Sequence, residues 1–294
     1  MPQELYGRRF GDRREGRLLR SIAPLYRLMP FLMKDRSDAS NYFADSVEIS
    51  HADRFLRKKR AEGMAGLGML HLFIAAYIRT IAMRPGLNRF VSGQRIYARH
   101  SVDVVMTVKR SLHSDSTETS IKVQFDPSDT IYDVYRRMNE EIDAIKANDG
   151  SNGTEDAAAA FMRIPRLLLR FVVGFLKLLD YFGRLPRALL KVSPFHGSMI
   201  VTDLGSLGIA PIYHHLYNFG NLPSFLSFGA KRRVVELDKT GVVVENKYID
   251  YKFVLDERIC DGYYYASAFK FLSHFLKNPE LLEEPPEKVY EDIF

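Results

Sequence analysis

The sequence predicts an α+β protein, a two-layer fold with a mixed β-sheet packed against helices, and three observations lead there. Short stretches such as Val102-Asp103-Val104 and Ile121-Lys122-Val123-Gln124-Phe125 alternate apolar and polar residues, the two-residue period of half-buried strands. Apolar runs at 64–83 and 262–277 have the length of helices. The two kinds of element come in blocks without regular alternation, which argues against a doubly wound parallel sheet.

Taken in order, residues 1–39 form a basic segment, helical in places, and 40–294 form the main domain. A strand is expected at Tyr42–Ile49, and Ser50 to Ala52 lead into a helix that runs past Lys58, Lys59 and Arg60. After the apolar helix 64–83, Pro85 to Asn88 make a turn, and strands follow near 94–98, 102–110 and 119–125. Asp126-Pro127-Ser128-Asp129 caps a helix over 130–147, and Asn148 to Gly153 is a polar loop. Further strands are expected near 197–203, 224–230, 234–237, 241–245 and 248–255, before a final helix over 262–277. No internal repeat is visible.

The composition bounds the function. With 294 residues, 46% hydrophobic and 27% charged, the chain is globular and long enough for a sizeable core. One cysteine, Cys260, excludes an intramolecular disulfide and a cysteine-built zinc site. The net charge of +6 is modest and partly clustered, pointing to a local anionic contact rather than to nucleic acid. Met1 to Arg20 is arginine-rich with no apolar run before a cleavage site, so no secretory signal is read there and a cytoplasmic protein is expected. His71 and Arg79 inside the run 64–83, closed by Arg84-Pro85-Gly86, favour a buried helix over a membrane span. His51, His71, His100, His113, His196 and His274 make no metal-ligand spacing with a nearby acid, so no metal is assigned.

Residues 154–191 form a hydrophobic, basic-striped helical insertion. Arg163, Arg170, Lys177, Arg184 and Lys191 recur every seven residues, and a seven-residue step returns to nearly the same helix face. Pro165 fits a first helical turn, and Gly183 and Pro186 divide the segment into a long helix and a short one. Two readings stand: a buried helix whose basic side chains snorkel to solvent or pair with a neighbouring subunit, or apolar faces that wall an acyl-chain tunnel or rest on a membrane surface. In the second, Arg170, Lys177 and Arg184 meet phosphates of coenzyme A or lipid.

The tail carries the most specific motif. Asp256-Glu257-Arg258-Ile259-Cys260-Asp261-Gly262 stands where a strand ends and a helix begins, and Asn278-Pro279-Glu280-Leu281-Leu282 follows that helix. This resembles the DHRxxDG signature and ending of the catalytic domain of 2-oxoacid dehydrogenase acyltransferases, and more distantly the HHxxxDG signature of chloramphenicol acetyltransferase. Gly197 to Gly205 is similar to a strand of those enzymes, and Pro85-Gly86-Leu87-Asn88 to their P-x-L-N turn. The similarity spans about residues 40 to 280 in element order.

The resemblance implies a chloramphenicol acetyltransferase-like fold, a homotrimer and a site shared between the tail heptad of one subunit and the Ser/Thr strand of the next. Asp256, Arg258, Asp261 and Gly262 match the heptad and would keep its turn, ion pair and helix entry. Glu257 departs from it, standing where the family has its catalytic histidine. An unperturbed histidine titrates near about 6.5 and a glutamate near about 4.3, so Glu257 is a weaker base unless burial raises it. Glu257 can then act as base, hold the turn, or orient His214 or His215, which follow the strand lining the family's channel. Those histidines can equally be surface or packing residues. Ser198 and Thr202 stand on the strand whose counterpart donates a hydroxyl hydrogen bond to the tetrahedral oxyanion. Cys260 is read as a small buried hydrophobe.

No lipoyl-type or peripheral binding module is seen before residue 40, so a stand-alone protein is expected. The function expected is transfer of an acyl group from a thioester, coenzyme A or an acyl-carrier protein, to an acceptor at a trimer interface. The alternative is a catalytically inactive trimer that binds acyl-CoA or a protein partner.

Overall fold

The computed structural model describes residues 9–109, 118–147 and 153–293. Residues 1–8 of the basic segment, most of the loop at 148–153 and His113 lie outside the described residues. The strands are β1 (Gly16–Leu18), β2 (Ser40–Glu48), β3 (Arg89–Ser92), β4 (Arg95–Arg99), β5 (Val102–Lys109), β6 (Glu118–Phe125), β7 (Met199–Asp203), β8 (Ser224–Leu237) and β9 (Val243–Asp256). The helices are α1 (Pro24–Leu32), α2 (Ser50–Ala61), α3 (Met69–Met83), α4 (Ile131–Ala147), α5 (Gly153–Met162), α6 (Arg166–Tyr181), α7 (Arg187–Val192) and α8 (Gly262–Lys277).

Six strands form a mixed sheet in the order β2-β9-β8-β7-β5-β6. β7 runs parallel to both β5 and β8, and the other neighbours pair antiparallel. One face carries α3 and α8. There Phe73 stacks on Phe228 at 4.5 Å, and Phe269 stacks on Phe253 at 4.7 Å and on Phe43 at 4.4 Å. Alternation then sends Val105, Ile200, Phe225 and Val254 to the opposite face, where Leu216 and Leu222 of the 208–223 loop cover them. The apolar α3 is buried in this core. Its buried polar residues have partners: His71 Nδ1 accepts from the Gly68 N–H at 3.2 Å, Arg79 donates to the Leu281 carbonyl at 2.7 Å, and the Thr80 hydroxyl donates to the Ala76 carbonyl at 2.7 Å. Among the described residues no helix is long and apolar enough to cross a membrane.

Several sequence expectations for the strands change. The strands near 224–230 and 234–237 are one strand, β8, and those near 241–245 and 248–255 are one strand, β9. Charged residues interrupt the apolar pattern without breaking the strands, because Lys231, Arg232 and Arg233 pair with Asp53, Asp250 and Glu245. β3 was not expected; its four residues are held to β4 by the two-residue turn Gly93-Gln94, where both φ values are positive (56° and 57°).

The basic segment is woven into the main body rather than attached to it. β1 pairs with β4 in a second, three-stranded sheet, and Arg17 donates to the carbonyls of Asp292 and Ile293 near the C-terminus. Arg89 clasps Asp292 through two hydrogen bonds of 2.7 and 2.6 Å. The 154–191 insertion comprises α5, α6 and α7. No residue of α6 is buried, which corrects the reading of a buried helix. Its C-terminal end is moored: Arg13 donates to the Tyr181 carbonyl at 2.5 Å, Tyr181 to Gln94 at 2.8 Å and Ser92 to the Asp180 carbonyl at 3.2 Å.

Candidate functional site

The tail heptad is a buried ionic turn with one open carboxylate. Asp256 ends β9, and Arg258 returns to it with Nε on Oδ1 at 2.8 Å and Nη2 on Oδ2 at 2.7 Å. Arg258 Nη1 also donates to the carbonyls of Met33 and Lys34 at 3.2 and 3.0 Å. Arg36 adds a second cation 3.7 Å from Asp256 while donating to the Tyr217 and Gly220 carbonyls. Burial pulls the Arg36 guanidinium down to about 10 against the opposing pull of Asp256. Asp261 caps α8, accepting from the Tyr264 N–H at 2.7 Å and from the Tyr26 hydroxyl at 2.6 Å. The Tyr26 bond, with the Tyr264 N–H, holds its carboxyl below the ordinary range. A Cβ on Gly262 would meet nothing within 4 Å, so space does not demand glycine there. Gly86 of the P-x-L-N turn is different, since a Cβ there would lie 2.7 Å from the Tyr264 ring.

Glu257 sits between these buried residues with its N–H on the Ala39 carbonyl at 2.8 Å and its side chain exposed. Among the described residues its carboxylate has no partner. The expected pair with a histidine is not formed within the chain, because the 208–223 loop turns His214 inward. His214 stacks on Phe225 at 4.3 Å, and burial, with the neighbouring His215, depresses its pKa. Its Nε2 is buried without a partner, while His215 is exposed against Tyr217.

The two hydroxyls of the β7 strand differ. Ser198 is wholly buried: its Oγ accepts from the Asp103 N–H at 3.0 Å, and its carbonyl accepts from Ser224 at 3.0 Å. Those bonds splice the starts of β5, β7 and β8. Thr202 is half-buried on the same face as Ile200, beside Ser227, and makes no side-chain hydrogen bond among the described residues. Register separates it from Glu257. Thr202 pairs with Ser227, which pairs with Lys252, five residues before Glu257. At about 3.3 Å per residue that offset is roughly 16 Å along the strands, beyond the reach of one reacting atom.

Cys260 is buried, and burial pushes its thiol up to about 12, which removes it as a nucleophile at neutral pH. Arg170, Lys177 and Arg184 are exposed along α6 and the turn after it, without partners among the described residues. Among the described residues no group of three or more His, Cys, Asp or Glu could hold a metal ion.

A cavity of about 1150 Å³ opens elsewhere, between the N-terminal segment, β4 to β6, α7 and the C-terminal tail. Arg13, Arg17, Arg99, His100, Lys122 and Lys191 contribute to its lining, and no residue of the tail heptad does. Burial pulls the Lys122 ammonium down to about 8 despite Asp103, and among the described residues its Nζ donates only to the Leu190 carbonyl, at 2.9 Å. Sequence reading missed this site. The arginines before residue 20 were a signal, but Arg99 and Lys122 are single charges in strand patterns whose meeting depends on pairing.

No family model matches the sequence, and no curated protein matches it. Solved structures do. A probable dihydrolipoamide acetyltransferase from Listeria monocytogenes superposes with a TM-score of 0.55 at 13% identity, covering 90% of this chain and 95% of that one. The cubic core of the pyruvate dehydrogenase multienzyme complex gives 0.53 at 14%, over 93% and 95%. A chloramphenicol acetyltransferase gives 0.50 at 12%, over 84% and 92%. The mixed sheet, the helical layer and these superpositions agree that the chain has the fold of the 2-oxoacid dehydrogenase acyltransferase catalytic domain and of chloramphenicol acetyltransferase.

Proposed function

We propose that this chain is an acyltransferase that works as a homotrimer and takes its acyl group from a thioester, coenzyme A or a carrier protein. The observation that carries the reading is the offset between Glu257 and Thr202. Among the described residues each is an unpartnered polar group fixed on a rigid element, and their offset of roughly 16 Å along the strands supports a site completed by a second subunit. Glu257 of one subunit would take the acceptor's proton as its heteroatom bonds the acyl carbon. The Thr202 hydroxyl would donate to the oxyanion, and the proton would return to the thiolate released when the C–S bond breaks. The fold neighbour that forms a cubic core supports assembly of such subunits.

Coenzyme A carries phosphates, and we place them in the basic cavity rather than on Arg170, Lys177 and Arg184. The cavity is partly enclosed and its cations are held by surrounding structure, whereas α6 is open. In this reading the protein is cytoplasmic.

One observation favours the inactive, acyl-CoA-binding alternative: the Glu257 carboxylate is in water and neither His214 nor His215 reaches it. The deciding experiment is light scattering joined to an acyl-CoA consumption assay with thiol and amine acceptors. A trimer that releases free coenzyme A supports transfer, a trimer that binds acyl-CoA without turnover supports the alternative, and a monomer sinks the shared site.

A further inference from the structure

The second surface with no assigned role is α6. At 100° per residue, Leu167, Phe171, Leu178, Phe175, Leu168 and Phe182 fall on one continuous face, and all six are exposed, from 53% to 75%. Leu169, Val172, Leu176 and Leu179 lie on the other side and are half-buried. Between the two, along one edge, stand Arg166, Arg170 and Lys177. Arg163 just before the helix and Arg184 just after it add exposed cations near its two ends. No ion pair or side-chain hydrogen bond ties any of these five cations down among the described residues. Asp180 is the one acid between residues 157 and 191 in the sequence, and its carboxylate lies 3.3 Å from the His196 ring.

We propose that α6, with Arg163 before it and Arg184 after it, is a docking surface for an anionic lipid bilayer. The charge around the apolar face decides the occupant. An interface between two copies depletes or pairs its charges around an apolar centre, whereas here five cations without partners among the described residues stand beside the apolar face and the chain is itself positive, at +6. Lipid phosphates and anionic headgroups match that border, and the phenylalanine and leucine side chains suit the headgroup–acyl boundary. At 16 residues α6 is about 24 Å long, and with three cations along it the helix lies in the interface rather than across it. The bonds from Arg13, Ser92 and Tyr181 fix its C-terminal end to the body, so the face is presented and not merely tethered. The inference stands independently of acyl transfer.

The test uses the full chain and flotation with phosphatidylcholine vesicles, with and without phosphatidylserine. Binding should require phosphatidylserine and weaken with added salt. The double change Phe171→Ser and Phe175→Ser should lower partitioning about ten-fold or more, and Arg166→Gln, Arg170→Gln and Lys177→Gln together should do the same. Both variants should keep the wild-type melting curve, because the altered side chains are exposed. Equal partitioning to both vesicle types, or unchanged binding by both variants, overturns the proposal. So does absent vesicle binding, whether the phenylalanine variant then breaks an oligomer seen by light scattering, assigning the face to a second copy, or loses affinity for long-chain acyl-CoA, assigning it to an acyl chain.

Discussion

Arg258 closes on Asp256 through two parallel charge-assisted hydrogen bonds of 2.8 and 2.7 Å, and both residues are almost wholly buried. The pair bends the chain sharply at the end of β9 and thereby presents Glu257 outward. Removing one partner leaves the other charge buried and alone. Arg258→Met is expected to cost about 3 to 5 kcal/mol, read as a fall in the urea midpoint. A loss under about 1 kcal/mol would show that Arg36 alone suffices to neutralise Asp256.

Glu257→Gln separates chemistry from stability. The side chain is exposed and unpartnered, so unfolding free energy should stay within about 0.5 kcal/mol of wild type. Acyl transfer should fall about 10²- to 10⁴-fold if Glu257 is the base. Unchanged transfer would remove it from the mechanism. Glu257→His, which restores the heptad of the resembled family, is the complementary trial: activity gained from an inactive parent would identify an inactive scaffold.

His71 makes stability depend on pH. Burial drives its pKa from the ordinary value down to about 4, so the folded protein holds the ring neutral while the unfolded chain protonates it near about 6.5. The unfolded state therefore binds more protons between those values, and stability falls as pH is lowered from about 6.5 to about 4. His71→Gln keeps an acceptor for the Gly68 N–H and removes the titration. Urea midpoints at neutral and mildly acid pH should differ less in this variant than in wild type; an equal difference would place the dependence elsewhere.

Asp53 adds a separate, more acid window. Burial opposes its ionisation, but hydrogen bonds from Lys231 and Lys247 outweigh burial and bring its pKa to about 2. Its contribution is present above the unfolded value of about 3.9 and is lost as pH falls toward 2. Asp53→Asn should flatten the acid end of the stability curve and leave the range from about 4 to 6.5 unchanged; loss of the latter would contradict the assignment to His71.

Lys122 tests the cavity. Burial draws its ammonium down to about 8, so coenzyme A affinity should decline as pH rises through that value. Lys122→Met should weaken binding about ten-fold by calorimetry and abolish that decline. Wild-type affinity and pH profile in the variant would move the phosphates out of the cavity.

The residue order alone determined the class of most elements, the α+β layering and the tail heptad. These are local properties, since a two-residue or 3.6-residue period and a cap such as Asp261 are written within a few neighbours. The seven-residue step likewise put Arg170 and Lys177 on one edge of a helix whose remaining surface is largely apolar. What only the tertiary structure decided is which face of each element is covered. Ser198 and Thr202 look equivalent on one strand, yet packing against Asp103 and Ser224 buries one and leaves the other half-open. His214 follows the strand in sequence, yet its loop folds it onto Phe225 and away from Glu257. Arg99 and Lys122 share a cavity because β4 and β6, more than 15 residues apart, meet with the N-terminal segment and α7. α6 remains uncovered because no other described element packs over Phe171 and Phe175. Burial is a property of residues distant in sequence, and a single strand or helix does not record which of them will arrive.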